Sequence, residues 1–557
     1  MVLKRIISLL LSILLLLSVS ACNSSPILSD QTDTGRLLER KNFFPKRDFD
    51  SAPTFSELEY KHYTRDRIEP LLDKLYELCE GEHPEDRFET YLTDVLDEFG
   101  YADTQQILLE LKYDMDTSYV ETAEELIYLD ETLYELRDEY NMALRALAES
   151  ENSKLMRTIF TDEEIAGFSE YEDPDQEELE IYLEIEKKKQ LYDNLISKNN
   201  PDFKKITELF IELIALNKKS AEFSGYESFA EMTYSCDFLR NYRPDDAGEL
   251  WGYVKKYFAP IISKYEHDYY SACRRLLYVN RPNNTMEPLE AIKTVAEGSS
   301  YELGAAYRFL VDKGLYDIGI SKNKANFSYT ICLYNYNVPF IFHCADGTLS
   351  DNFILMHEFG HFVNTAYQDY TYYETMEDID AAELQAHSME FLATLYYEEI
   401  FENLASEALK YLILDTAMGV TDGAMYDEFL QRAYEEEELT SEKLLDIYKE
   451  LYLDYGYSPY YGYEYEWCYI PHLFKMPFYY ISYCVASLGA LQVYGELLKD
   501  PHKGTEIVMK LLASDNCEID FETLMENVGL LSVFSEDGFE DISEALEYSL
   551  KNLCRFS

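Results

Sequence analysis

The chain is poor in positive charge, in cysteine and in turn-forming residues. Lys and Arg number 48 against 106 Asp and Glu, a formal net charge of −58. That balance cannot supply the basic surface that neutralises phosphates, so nucleic-acid binding is excluded. Direct adsorption on an anionic bilayer is disfavoured for the same reason, so any membrane attachment must come from something other than charge. The ten cysteines include no CxxC pair, and the nine that follow Cys22 are an odd number with no framework spacing. Buried thiols are expected, no pairing is predicted, and a Cys-based zinc site is not indicated. Beyond the N-terminus no apolar run reads as long and charge-free enough to span a bilayer. Only 22 Gly and 16 Pro interrupt 557 residues. That length can bury a large core and permits several domains.

Against this background one stretch carries chemistry. His357-Glu358-Phe359-Gly360-His361 is an HExxH pentapeptide inside an apolar run from Phe353 to Val363, with Ser350 and Asp351 placed to cap a helix. Residues four apart share a helix face, so both imidazoles are presented to one point, as a tetrahedral zinc site requires. Glu358, beside the first imidazole, can hold and deprotonate a water whose pKa the metal lowers to roughly 7. The bland alternative is a helix with two core or surface histidines. It would leave polar groups among hydrophobes in need of partners.

A catalytic zinc takes three protein ligands and keeps one open position. A metzincin would continue with Gly at 364 and His at 367; this chain has Asn364 and Tyr367. The next candidate is Glu383, in Asp380-Ala381-Ala382-Glu383-Leu384-Gln385-Ala386-His387-Ser388-Met389-Glu390. Helical spacing puts Glu383, His387 and Glu390 on one face, and Glu390 could serve a ligand imidazole as an acceptor. Asp380 competes for the ligand role, and a solvated acidic face is the plain alternative.

Taken together, these residues resemble the M3 metallopeptidases, the thimet oligopeptidase and oligoendopeptidase F group, and most of all its bacterial oligoendopeptidase branch. Pro339 to Thr348 resembles the strand that precedes the motif helix in that family. Pro471-His472-Leu473-Phe474 and Pro477 to Tyr483 resemble its C-terminal His and Tyr segment. The likeness is specific from about 200 to 490. One departure is Asn326-Phe327-Ser328, which lacks the Gly of the family's turn there. The resemblance implies a mainly α, zincin-type (gluzincin) fold, with two helical lobes around a deep substrate channel and a small β-sheet beside the zinc helix. It implies one zinc ion per chain, held by His357, His361 and Glu383, with Glu358 as general base. It also implies that His472 and Tyr483, with Tyr480, stabilise the oxyanion. The register leaves open whether Tyr479 or Tyr480 assists Tyr483.

In chain order, Lys4 and Arg5 precede an apolar run from Ile6 to Leu17, closed by Val19-Ser20-Ala21-Cys22. This is a secretory signal, residues 1–21. Cys22 after small residues resembles a bacterial lipoprotein site, implying cleavage before it and lipidation on it. Residues 22–52 read as the lipidated Cys and a flexible tether. The expected location is the outer face of a bacterial membrane.

Residues 53–200 form an N-terminal helical region and 201–557 the catalytic region. Apolar residues at three- and four-residue spacing mark helices over Glu121 to Ala148, Asp175 to Ser197 and Phe203 to Phe223. Ser328 to Tyr334 and Val338 to Cys344 read as strands split by an Asn335-Tyr336-Asn337 turn. Further helices follow over about 404 to 454. A Tyr- and Gly-rich loop, read as mobile, spans Tyr455 to Tyr469, and a helix begins near Pro477.

The activity implied is endopeptidase cleavage of oligopeptides. A lipid-anchored, non-catalytic peptide-binding protein and a zinc exopeptidase are the alternatives. The intact Glu358 argues against the first, and no charged terminus pocket is identifiable for the second.

Overall fold

The computed structural model describes residues 43–169, 176–198, 200–368 and 377–553. The signal segment, Cys22 and the first part of the expected tether lie outside the described residues. The chain divides into two compact units. Unit one comprises Met1–Asp173, Pro288–Asp346 and Ile354–Glu377; unit two comprises Pro174–Glu287, Gly347–Phe353 and Asp378–Ser557. The boundary expected at 200 therefore falls near 173. The N-terminal unit also takes in two later segments, because the sheet and most of the motif helix pack with it.

In unit one the helices Glu69–Glu77, Arg87–Met115 and Val120–Glu149 enclose an apolar core. The last of them buries Leu129, Leu133, Leu136, Tyr140, Leu144 and Leu147, the helical stripe that the sequence spacing predicts. The tether is shorter than expected. Phe44 is buried with its ring 4.3 Å from that of Tyr367, and Phe49 stacks on Phe309 at 4.4 Å. Arg47 donates to the carbonyl of Gln368 at 2.8 Å. Three aromatics (Phe43, Phe44 and Phe49) sit in a stretch otherwise polar, and burying Phe44 and half-burying Phe49 offsets the chain entropy of pinning a short segment.

The sheet of unit one has three strands, β1 (Tyr316–Asp317), β2 (Ser328–Leu333) and β3 (Val338–His343), in the order β1-β3-β2. β3 pairs parallel with β1 and antiparallel with β2, with Thr330 opposite Ile341. Every residue of β3 is buried, whereas β2 lies at the edge and is half-buried over its first four residues. The turn between β2 and β3 forms at Tyr334–Tyr336, and Asn337 adopts a left-handed φ of 48°, which Asn tolerates better than most residues. β1 was not legible, since two residues show no period.

Helix α1, Ser350–Tyr367, carries the HExxH motif. Its residues from Ile354 onward belong to unit one. There Phe362 packs on Phe309, ring centroids 5.9 Å apart, and the Tyr367 hydroxyl donates to the Glu302 carbonyl at 2.8 Å.

Unit two is helical among its described residues. Helix α2, Ile379–Ala393, is capped by Asp378, whose carboxylate accepts from the Ala381 N–H at 3.0 Å and the Phe521 N–H at 2.9 Å. Nearly all of α2 is buried, the mark of a core helix rather than an amphipathic one. Helices α3, Ala405–Glu435, and α4, Tyr480–Lys499, complete the centre of the unit. α4 starts at Tyr480, not near Pro477: a short helix, Pro471–Lys475, comes first, and Phe478 takes a left-handed φ of 68° in the turn between.

By length and hydropathy α4 could cross a bilayer, a property missed in the sequence, but 78% of its apolar window is buried inside the protein. The Tyr455–Tyr469 loop is packed near its two ends, while Ser458 to Tyr461 is exposed. Tyr455 is buried and donates to Glu428 at 2.8 Å, and Trp467 is fully buried. No disulfide joins the described cysteines. Cys273, Cys332, Cys468 and Cys484 are buried, and burial pushes the Cys273 thiol up to about 11.

Two glycines allow α4 its close neighbours. A Cβ on Gly423 of α3 would lie 2.6 Å from the Tyr480 carbonyl oxygen, and one on Gly489 would lie 2.7 Å from Leu384 Cδ1 of α2. The first obstacle is backbone and cannot swing away. Gly423→Ala is therefore expected to destabilise the protein by about 1–3 kcal/mol, read as a lowered urea midpoint at unchanged m-value.

Candidate metal and catalytic centre

In unit one, α1 carries the HExxH residues. The Nε2 atoms of His357 and His361 lie 3.2 Å apart, with their rings at 79°. A tetrahedral ion with zinc–nitrogen bonds of 2.0–2.1 Å separates two such ligands by roughly 3.3–3.4 Å. The imidazole pair therefore fits zinc, both in donor type and in spacing. Glu358, on the intervening turn, is buried at 6% exposure. Its Oε2 accepts a hydrogen bond of 2.7 Å from Thr330 Oγ1 of β2, and that hydroxyl is also 3.0 Å from the Glu358 carbonyl oxygen. A buried carboxylate needs such donors, because desolvation otherwise favours the protonated acid. Thr330 was not singled out in the sequence.

Unit two carries the other site residues expected from the sequence. Glu383 is buried on α2, and the Tyr479 hydroxyl donates to its Oε1 at 3.0 Å. A carboxylate oxygen of Glu383 and a ring nitrogen of His387 lie within 4.8 Å of each other. His387 Nδ1 is 2.9 Å from Glu390 Oε1. The partner found for Glu390 is thus His387, one turn along its own helix. His472, Tyr479, Tyr480 and Tyr483 form one aromatic cluster. The His472 ring is 5.2, 5.3 and 6.2 Å from the three tyrosine rings in that order. Burial pushes the His472 imidazole below its usual range, against the pull of the Glu383 carboxylate. It is accordingly neutral near pH 7, with one N–H to donate. Between the two tyrosines left open by the sequence, Tyr479 reaches Glu383, while the Tyr480 ring packs edge-on against Tyr426 at 5.1 Å.

Asp380, the competing ligand, is engaged elsewhere. Its Oδ2 accepts from the Tyr242 hydroxyl at 2.6 Å and sits 3.6 Å from Nε of Arg240. Arg240 is itself buried. It donates to the Phe478 carbonyl at 3.0 Å and the Ser482 hydroxyl at 2.8 Å. One guanidinium thus ties the start of α2 to the strained turn that delivers Tyr479 and to the first turn of α4. Nothing local in the sequence marks this pair, which is separated by 140 positions.

Residues 300–523 match the model of peptidase family M3. Over 242 residues the chain is 27% identical to Oligopeptidase PepF of Bacillus subtilis (strain 168); the match covers 40% of this chain and 35% of that protein. The chain thus spans about a third of the length of the curated relative it matches. Among solved structures, a candidate oligoendopeptidase F is similar with a TM-score of 0.73 at 20% identity, covering 90% of this chain and 99% of that one. Another, from Bacillus anthracis str. Ames, is similar with a TM-score of 0.71 at 19% identity, covering 90% and 98%. At these identities the likeness is one of fold. The mainly helical architecture with a small sheet is that of the oligoendopeptidase F structures, in keeping with a zincin-type fold. The resemblance to M3 peptidases drawn from the motifs is supported by the family model and by these neighbours.

Removing Arg240 would leave the Asp380 carboxylate buried without its cation. Arg240→Met is expected to lower stability by about 3–5 kcal/mol. Urea unfolding checks this, and adding Asp380→Asn should recover part of the loss, since paired residues couple.

Proposed function

We propose that the protein is a zinc-dependent endopeptidase acting on oligopeptides. The observation that carries this reading is the pair of Nε2 atoms 3.2 Å apart on α1, with a buried carboxylate between them in the sequence. His357, His361 and Glu383 would hold one zinc ion. When bound, zinc supplies a Lewis acid that polarises the peptide carbonyl and acidifies water.

The rest of the chemistry belongs to the chain. Glu358 takes a proton from the attacking water and delivers it to the amide nitrogen as the C–N bond breaks; the water's second proton then passes from the new carboxyl group to the amine, leaving a carboxylate and an ammonium. His472 and Tyr483, with Tyr480, donate to the oxygen on which negative charge develops. Tyr479 holds one oxygen of Glu383, fixing the direction of the other. The edge position of β2 supports extended peptide binding by strand addition, which reads backbone rather than side chains.

A quenched peptide with product masses separates this reading from its rivals. Internal cleavage supports it, stepwise loss from one end indicates an exopeptidase, and no turnover with intact peptide binding indicates a binding protein. Glu358→Gln is expected to retain zinc, by metal analysis, and to lose 10²-fold or more in turnover, the order of a general-base contribution. Turnover near wild type would remove Glu358 from the mechanism.

We further propose export and anchoring to the outer face of a bacterial membrane through lipid on Cys22. The support is the charged, apolar and small-residue sequence of positions 1–22. Labelled palmitate should enter the wild-type protein, and Cys22→Ala should abolish labelling and release the protein from the membrane fraction.

A further inference from the structure

Thr330 stands where no catalytic motif points. It lies on β2, and its side chain reaches Glu358 on α1. The hydroxyl carries one proton and has two acceptors in range, the Glu358 carboxylate at 2.7 Å and the Glu358 carbonyl at 3.0 Å. Within a helix that carbonyl can accept from the N–H one turn on. The carboxylate is the shorter contact and, when ionised, the stronger acceptor. The proton is therefore assigned to Oε2.

We propose that Thr330 is a positioning residue for the general base, a proposal that rests on the endopeptidase reading above. A glutamate side chain has three rotatable bonds and is costly to order. A hydroxyl fixed on a strand removes that freedom by occupying one carboxylate oxygen. The carboxylate is thereby held in one orientation for its proton exchange with water and the leaving nitrogen. Thr330 is well suited to the task, because a β-branched side chain has few rotamers and the adjacent β3 is wholly buried. Its strand is also the sheet's edge, where an extended peptide would add. One short segment would then align both the base and the scissile bond, so that a shift of the strand moves the two together.

The test compares Thr330→Val, which keeps the shape, with Thr330→Ser, which keeps the hydroxyl, in the full chain loaded with zinc. For Thr330→Val kcat on the quenched peptide should fall roughly 10- to 100-fold, the cost typical of removing a partner behind a metal-site residue. KM, zinc content and melting temperature should stay near wild type. Thr330→Ser should restore most of kcat. Wild-type kcat in the valine variant overturns the proposal, as does an equal loss in the serine variant. Crystal structures of both variants supply a readout independent of turnover. The Glu358 carboxylate should leave its position in Thr330→Val and keep it in Thr330→Ser; an unmoved carboxylate in the valine variant overturns the proposal. If the wild-type protein cleaves no peptide, the endopeptidase reading fails while the structures still decide the role of Thr330.

Discussion

Two imidazole nitrogens held 3.2 Å apart inside an apolar helix are the constraint on which the functional architecture depends. Two imidazole nitrogens this close repel unless a cation satisfies both or a proton is shared between them. The surroundings are built to keep them so placed. Phe359 and Phe362 bury the opposite side of α1, Tyr367 anchors its end to Glu302, and β2 supplies a hydroxyl to the carboxylate beside the first imidazole. Rigidity comes from packing, and polarity is admitted only where it has a partner.

Unit two meets a related problem with a different device. Its central helices α2, α3 and α4 are buried over most of their surface, and small residues let them approach closely. Orientation is then set by a few buried polar links. Arg240 joins Asp380 to the turn at Phe478, Tyr479 reaches Glu383, and Asp378 caps α2 while receiving the Phe521 N–H. Breaking one partner of such a link is far costlier than the link is worth, because the survivor stays buried and charged.

Much of this was legible in the sequence where the signal is periodic or local. The helix over Phe203–Phe223 matches its expected span, and both longer strands and the turn at Asn337 appear where alternation and turn chemistry put them. The helices bearing His357, Glu358, His361 and Glu383 were readable for the same reason, since i, i+4 spacing is a property of one segment. What could not be read depends on distant pairs or on unsignalled backbone. Thr330 is an ordinary strand residue until α1 is laid beside it. Arg240, in a connecting loop, meets Asp380 of α2 from a distant part of the chain. The left-handed turn at Phe478 carries no glycine to announce it. Residues 43–52 look polar until their phenylalanines find Phe309 and Tyr367.

The described cysteines behave as small hydrophobes. Several are interior, and burial raises their thiols, so few would be thiolate at neutral pH and nucleophilic attack on an oxidant is suppressed. Among the described cysteines the native packing therefore uses no disulfide, and each buried sulfur serves as a packed apolar group rather than as a reactive one.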